Sequence, residues 1–191
     1  MGALENAPLL KRHRLTVDDY GRMGEAGVFA PDARVELIDG EVIDMAPIGT
    51  RHAAAVTRLD RLLQRAVGDQ AIVRSQNPLR LGDRSEPEPD LLLLLPRADF
   101  YASAHPGASD VLLLIEVADS SVRYDREIKL PLYARHGIAE VWLVDLEAGM
   151  LRFFRGPQGE RYTDVTATET PGPTPVAALP GVVIDLAGLL G

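Results

Sequence analysis

Two continuous apolar runs dominate the pattern of hydrophobic and polar positions. The run at 89–96 begins with Asp90, and the run at 111–117 ends in Glu116 followed by a valine. Apolar runs of this length without a helical stripe are typical of strands buried on both faces. If the two strands pair antiparallel, the start of the first lies beside the end of the second. The pattern therefore predicts that Asp90 and Glu116 meet at one edge of a sheet.

Two carboxylates that meet in this way repel, and each raises the pKa of the other unless a divalent cation lies between them. The alternatives are structural. Glu116 could form an ordinary structural ion pair, because a buried carboxylate needs a cation or hydrogen-bond donors. Asp90 could be a turn residue that precedes a strand.

The chain before these runs predicts a helix and then a hairpin. Residues 16–26 suit a helix capped by Thr16. Residues 35–45 predict a hairpin that turns at an Asp-Gly pair, with Glu36 and Glu41 on its two strands. Carboxylates on an exposed face are ordinary, so each of them has a solvated alternative to a functional role.

An amphipathic helix is predicted at 49–67, with His52 in its first turn. A single histidine near a helix start is often a surface or capping residue, and a site role is the alternative. Four arginines recur along this helix, and they predict either a solvated face or a surface that contacts phosphate. They are Arg51, Arg58, Arg61 and Arg65.

Short strands are predicted at 71–74 and 78–81, on either side of Gln76, and prolines then force an extended approach to the first apolar run. After the second run, a helix is predicted from the serines at 120–121 to a glycine stop at 137.

Three polar residues share one face of that helix, because they are spaced i, i+4 and i+8. They are Asp125, Lys129 and Tyr133. Pro131 lies inside the pattern and should kink the helix or restart it. Lys129 is one of only two lysines among 20 basic residues, which hints that a compact point donor is needed there.

Further strands are predicted at 140–145, 150–155, 162–165 and 182–186. Neither an internal repeat nor a second domain is evident, so we expect residues 1–191 to form one domain. Within it, residues 1–14 are expected to be an N-terminal arm, and the proline-rich stretch at 168–181 a linker or an edge cover.

Composition narrows the chemistry. The chain has 191 residues, 46% of them hydrophobic and 25% charged, a net charge of −8 and no cysteine. Disulfides, thiolate catalysis and cysteine-bound zinc are excluded. No apolar run reaches the ~20 residues that span a bilayer, and the N-terminus does not resemble a signal peptide, so we expect a cytoplasmic protein without a membrane partner. The acidic charge argues against a protein that coats nucleic acid, but not against a nuclease.

Motifs for other mechanisms are missing from the sequence. It contains no nucleophile elbow of serine hydrolases, no phosphate-binding glycine loop, and no histidine pair at zinc spacing. A carboxylate site for a hard cation such as Mg²⁺ or Mn²⁺ remains. With a nearby lysine, such a site suits phosphodiester hydrolysis.

Several stretches together resemble the PD-(D/E)XK nuclease superfamily and, more closely, the Uma-two family of restriction-endonuclease-like proteins. The stretches are V-E-L-I-D-G-E-V, E-P-E-P-D-L, the block from I-E-V-A-D-S-S-V to G-I-A-E-V-W-L-V-D, and the terminal L-P-G-V-V-I-D-L. The resemblance covers most of the chain. The Pro-Asp pair alone is a weak signal, whereas the long central block is specific.

The resemblance implies an α/β (α+β) fold, with a restriction-endonuclease-like mixed β-sheet flanked by helices. It implies that Asp90 and Glu116 bind the metal, with the carbonyl of Val117, while Glu36 is an additional acid and Lys129 the catalytic lysine. Ala118 stands where the simplest E-x-K motif has its lysine, and the family pattern moves the lysine to the following helix. His52 and Gln76 also match family positions, and Glu41 is an alternative to Glu36.

The resulting hypothesis is a metal-dependent endonuclease that hydrolyses DNA, uses Mg²⁺ or Mn²⁺, and acts as a homodimer because both strands of a duplex must be cut. Asp125 and Tyr133 are candidate accessory residues. The alternative is a non-catalytic binding or regulatory module that keeps the nuclease fold.

Overall fold

A six-stranded mixed sheet forms the centre of the chain in a computed structural model that describes residues 12–190. The strands, in chain order, are β1 (Val35–Ile38), β2 (Glu41–Asp44), β3 (Ile72–Ser75), β4 (Leu91–Leu94), β5 (Val111–Ala118), β6 (Glu140–Asp145), β7 (Met150–Gln158), β8 (Arg161–Thr168), β9 (Pro173–Pro175) and β10 (Val183–Asp185). The central sheet has the order β3-β4-β5-β6-β7-β8, and the pairs β1-β2 and β9-β10 form two small sheets.

Helices flank the central sheet. They are α1 (Val17–Glu25), α2 (Thr50–Val67), α3 (Val122–Tyr124), a π-helical turn (Asp125–Lys129) and α4 (Leu130–Arg135), with short 3-10 turns at Gly68–Gln70 and Ala108–Asp110. The predicted α/β class, a mixed sheet flanked by helices with an N-terminal helix and hairpin, is confirmed.

Strands β4 and β5 pair antiparallel, with Leu91 opposite Ile115 and Leu92 opposite Leu114. The start of β4 therefore lies beside the end of β5, as the two apolar runs predict. Strand β6 then pairs parallel to β5. Both faces of β4 and β5 are covered, which is why their sequences are continuously apolar rather than alternating.

Two apolar layers hold the sheet. One contains α2 and the C-terminal segment, and its fully buried side chains include Leu59, Leu63 and Trp142. The other contains α4, and its fully buried side chains include Leu132 and Leu143. Burial of each such side chain is worth roughly 1.5–3 kcal/mol, so the layers fix how the helices lie against the sheet.

The predicted helix cap and hairpin turn near the N-terminus are both present. Thr16 caps α1, its hydroxyl accepts the N–H of Asp19, and the Asp19 carboxylate accepts the N–H of Thr16 in return. Asp39 and Gly40 both have positive φ in the turn between β1 and β2, as the tightest hairpin turns require. The helix and hairpin predictions are confirmed.

The predicted strand at 78–81 is wrong. The segment joins no sheet: an isolated bridge links Arg80 to Gly107, and the N–H groups of Leu79 and Leu81 donate to the carbonyls of Pro87 and Ser85. Leu79 and Leu81 are fully buried in the layer beneath the sheet. The alternating pattern therefore reflects a segment whose backbone bonds to neighbouring loops and whose alternate side chains are buried, without a place in a sheet.

The helix that follows β5 is irregular where Pro131 enters it. The N–H of Leu130 donates to the carbonyl of Asp125, five residues back, which closes a π-helical turn. Pro131 lies in the first turn of α4, where its missing N–H is tolerated. The expected disruption at Pro131 therefore takes the form of a widened turn.

The chain ends approach the hairpin and the core. Residues 1–11 of the expected N-terminal arm lie outside the described residues, while Arg12 and Arg14 contact Glu41. The stretch at 168–181 contains β9, and its Val176 is buried against the α2 layer. Within residues 12–190, no helix combines the length and the apolar character needed to cross a membrane.

The arginines of α2 divide into two groups. Arg51 donates to Asp119 and to the carbonyl of Leu146, and Arg58 donates to the carbonyls of Ala187 and Gly188. Arg61 and Arg65 are exposed. Two of the four arginines therefore bind loops to α2. Neither the solvated face nor the phosphate-contacting surface predicted from the sequence includes this role.

Candidate active site

A cavity of about 390 Å³ opens where β4 begins and β5 ends. Its lining is strongly acidic. Seven carboxylates line it: Glu36, Asp44, Glu88, Asp90, Glu116, Asp119 and Asp125. The basic side chains in its lining are Arg34, Lys129 and His52. This excess of carboxylates concentrates negative charge at the predicted meeting point of Asp90 and Glu116.

Asp90 is held by donors from three parts of the chain. Its Oδ2 accepts the N–H of Val117 at 2.9 Å, which joins the start of β4 to the end of β5. His52 Nε2 lies 3.0 Å from Oδ1, and Gln76 Nε2 donates to the same oxygen at 3.3 Å. Gln76 has a φ of 52°, a conformation uncommon for residues other than glycine that often marks a functional site.

Glu116 is almost completely buried, with 3% of its surface exposed. The Tyr133 hydroxyl donates to its Oε1 at 2.5 Å, and Lys129 Nζ lies 3.2 Å from the same oxygen. Its Oε2 accepts the N–H of Asp90 at 3.4 Å. Burial raises the pKa of Glu116, and the Lys129 charge opposes this effect.

Glu36 approaches the same lysine from the hairpin. Its carboxylate lies 3.4 Å from Lys129 Nζ, and it accepts the Tyr124 hydroxyl at 3.0 Å and the N–H of Glu88 at 3.1 Å. Strand β1 and strand β5 thus supply one carboxylate each to a single buried ammonium.

Acids surround the buried ammonium of Lys129. Burial works to lower the pKa of its ammonium, but the charges of Glu116 and Glu36 outweigh burial and hold the pKa above its usual value. The widened turn at Asp125–Lys129 carries this side chain to the cavity. Such π-helical turns are frequent at functional sites.

Asp125 also lines the cavity and is buried. The Ser121 hydroxyl donates to its carboxylate at 2.8 Å. Burial raises the pKa of Asp125, although Lys129 and Ser121 act in the opposite direction. The helix face predicted to carry Asp125, Lys129 and Tyr133 therefore faces the acidic end of β5.

Glu41 lies apart from this group. Its carboxylate is 2.7 Å from Arg14 Nη1 on the outer side of the hairpin, and it does not line the cavity. Of the two hairpin acids that the sequence proposes, Glu36 is the one that meets Lys129. The other candidate residues also lie at this site. His52 and Gln76 contact Asp90, Tyr133 contacts Glu116, and Asp125 lines the cavity.

Several residues of the cavity wall were not identified from the sequence, among them Arg34, Glu88 and Tyr124. Glu88 precedes Asp90 by two positions, and in an extended chain this spacing places both on one side, so a signal was available. Tyr124 precedes Lys129 by five, which is the hydrogen-bond spacing of a π turn and not of an α-helix. No sequence signal singled out Arg34.

The donors present suit a hard divalent cation. Asp90 and Glu116 offer carboxylate oxygens, and Val117 lines the cavity beside them. Within residues 12–190, no three His, Asp or Glu side chains converge into a ready-made metal cage. Mg²⁺ is commonly bound through one or two carboxylates, with water and substrate oxygens completing its shell. The buried, acid-rich surroundings of Glu116 therefore fit such an ion.

Comparisons with known proteins bear on the fold and on the family of this chain. A crystal structure described as "a putative nuclease belonging to DUF820", from Anabaena variabilis ATCC 29413, superposes with a TM-score of 0.68. It is 16% identical, and the match covers 92% of this chain and 97% of that one, which establishes a shared fold. No curated protein is similar enough to count as a match.

The family comparison covers nearly the whole described chain. Residues 17–187 match the Uma2 family, whose description is "Putative restriction endonuclease". The matched region includes every residue of the cavity described above. The chain therefore belongs to the Uma2 family.

Proposed function

We propose that this protein is a metal-dependent endonuclease that hydrolyses phosphodiester bonds of DNA. The observation that carries the proposal is the buried contact between Glu116, Lys129 and Glu36 beside Asp90 in an acidic cavity. Membership of a family described as "Putative restriction endonuclease" supports it, as does the fold shared with a protein described as "a putative nuclease".

Asp90 and Glu116 would hold the metal, with the carbonyl of Val117 as a further oxygen donor. Mg²⁺ or Mn²⁺ suits this donor set. When bound, such an ion lowers the pKa of a coordinated water and offsets charge on the phosphate.

Lys129 acts as a hydrogen-bond donor in this proposal. Its neighbouring acids raise the pKa of the ammonium, which favours a donor role over that of a general base. It is suited to orient the attacking oxygen or to stabilise negative charge on the phosphate. Its contacts with Glu116 and Glu36 keep the Nζ atom in place before a substrate arrives.

Other side chains orient the carboxylates. His52 and Gln76 restrain Asp90, and Tyr133 restrains Glu116. Fixing a carboxylate in advance avoids reorganisation during the reaction. These residues are positioning groups in the proposed mechanism.

Cleavage of supercoiled plasmid DNA tests the proposal. The wild type should nick or linearise plasmid with magnesium or manganese, and Asp90→Asn and Glu116→Gln should each lose at least about 100-fold in rate, or about 3 kcal/mol. Glu41→Gln is the matched control, because it removes a nearby carboxylate outside the cavity. Equal rates for all four proteins would rule out the proposed site.

One observation favours a second candidate, a non-catalytic binding or regulatory module. Lys129 already offsets Glu36 and Glu116, and His52 contacts Asp90, so the acids have partners without a metal. Calorimetry with manganese separates the two candidates. Manganese binding together with cleavage supports the endonuclease, and binding without cleavage supports the module.

The endonuclease proposal also includes a homodimer, because two active sites are needed to cut both strands of a duplex. Sedimentation equilibrium tests this part separately. A monomeric mass at the concentration used for cleavage would remove it.

A further inference from the structure

Arg34 lies just before β1, half-buried in the wall of the acidic cavity. Its Nη1 donates one hydrogen bond, to the carbonyl of Ala46 at 3.3 Å. Within residues 12–190, no carboxylate lies within 4 Å of its guanidinium. A guanidinium has five N–H donors, so most of its donor capacity is available.

The other cations near the cavity are already engaged. Lys129 contacts both Glu116 and Glu36. Arg51 donates to Asp119 at 3.2 Å and to the carbonyl of Leu146 at 2.8 Å. Arg34 therefore differs from both, since its positive charge has no carboxylate partner among residues 12–190.

An anionic substrate needs such a charge. A phosphodiester that enters the cavity meets seven carboxylates, and Lys129 is largely offset by its two acids. Arg34 lines the same cavity as Asp90 and Glu116, so its charge lies at the wall of the space that a phosphate would enter.

We propose that Arg34 binds a backbone phosphate of a nucleic acid strand at the wall of this cavity, an inference that rests on the proposed endonuclease function. The planar guanidinium fork matches two phosphate oxygens, and charge-assisted bonds of this kind are stronger than neutral ones. The contact places the phosphate backbone beside Asp90 and Glu116 without using the charge of Lys129.

The test compares Arg34→Gln and Arg34→Lys with Arg61→Gln in the full-length protein. Arg61→Gln is the matched control, because it removes the same charge from an exposed position on α2 outside the cavity. Cleavage of a labelled DNA duplex with manganese gives kcat and KM. Fluorescence anisotropy of the same duplex gives the affinity, and melting temperatures show whether each variant is folded.

We expect Arg34→Gln to raise KM by about tenfold or more, with a smaller change in kcat. Arg34→Lys should recover part of the loss because it keeps the charge without the fork. The dependence of log affinity on log salt should become shallower by about 0.9 for Arg34→Gln, as for one phosphate contact. Arg61→Gln should match the wild type in all of these measurements.

The outcomes separate the two proposals. If the wild type cleaves DNA and Arg34→Gln behaves like Arg61→Gln, the Arg34 inference is overturned and the endonuclease stands. If the wild type cleaves nothing, the endonuclease fails, and anisotropy decides the inference. Weaker binding by Arg34→Gln alone then supports a phosphate contact in a non-catalytic module, and equal binding by all variants overturns it.

Discussion

Glu116 on β5 and Glu140 on β6 are buried carboxylates on neighbouring parallel strands, but their surroundings differ. Glu140 accepts hydrogen bonds from Trp142 Nε1 at 2.9 Å, from Arg155 Nε at 2.8 Å and from the N–H of Ala177 at 2.9 Å. Glu140 therefore has one cation and two neutral donors, and it does not line the acidic cavity.

Glu116 instead shares its cation. Lys129 serves both Glu116 and Glu36, while Asp90 and Asp125 add further negative charge nearby. A buried carboxylate with a full set of hydrogen-bond donors is typical of a structural role. An excess of buried acids beside a cavity is typical of a site that binds a cation or substrate. Burial alone therefore does not identify a functional acid, and the balance of charge around it is more informative.

Removing the cation beside each of the two carboxylates tests this comparison. Lys129→Met, which removes the cation beside Glu116, should have the largest effect on stability. It leaves two buried carboxylates without their ammonium, so we expect the free energy of unfolding to fall by about 3–5 kcal/mol. Chemical denaturation at pH 7 measures the loss. Manganese should narrow the deficit relative to wild type, because the ion replaces the missing charge and so binds the variant more tightly; a tenfold lower Kd narrows it by about 1.4 kcal/mol at saturating metal.

Arg155→Met is the corresponding change beside Glu140, and its effect on stability should be somewhat smaller. It leaves Glu140 with only neutral donors, and about 3 kcal/mol of stability should be lost. Arg161→Met on the exposed strand β8 is the control. Manganese should leave the deficit of Arg155→Met unchanged, because Glu140 does not line the cavity. If manganese narrowed the stability deficit equally in Arg155→Met and Lys129→Met, the surroundings of Glu116 and Glu140 would not differ as described.

Tyr133→Phe should have the smallest effect on stability, about 1–2 kcal/mol, because it removes one hydrogen bond to a buried carboxylate. Tyr162→Phe is its match, since the Tyr162 hydroxyl donates to the carbonyl of Ile138 at 2.9 Å. Both variants should lose similar stability in thermal denaturation. Only Tyr133→Phe should slow plasmid cleavage, so an equal slowing in the two variants would argue against a positioning role for Tyr133.

Much of the fold could be predicted because its signals are local. The two apolar runs identified β4 and β5, the Asp-Gly turn identified the hairpin, and Thr16 marked the start of α1. The strand prediction at 78–81 failed because an alternating apolar pattern reports which side chains are buried and not whether the segment joins a sheet. Leu79 and Leu81 are buried, and their N–H groups donate to carbonyls of the loop at 85–87.

The candidate site divides in the same way. Antiparallel pairing of two adjacent strands was enough to bring Asp90 to Glu116, and helical spacing was enough to group Asp125, Lys129 and Tyr133. Nothing in the local sequence distinguished Glu36 from Glu41, since both lie on the same short hairpin. Tyr124 was missed because its contact with Glu36 joins residues 88 positions apart.

The sequence by itself determined which segments are strands and helices, and which acids lie at the ends of buried strands. These properties follow from periodicity and from turn chemistry within a few residues. Only the tertiary structure decided that one ammonium serves two carboxylates, that the chain widens into a π turn before Pro131, and that Arg34 has no acidic partner among residues 12–190. Those features depend on side chains brought together from distant parts of the chain, which no local pattern records.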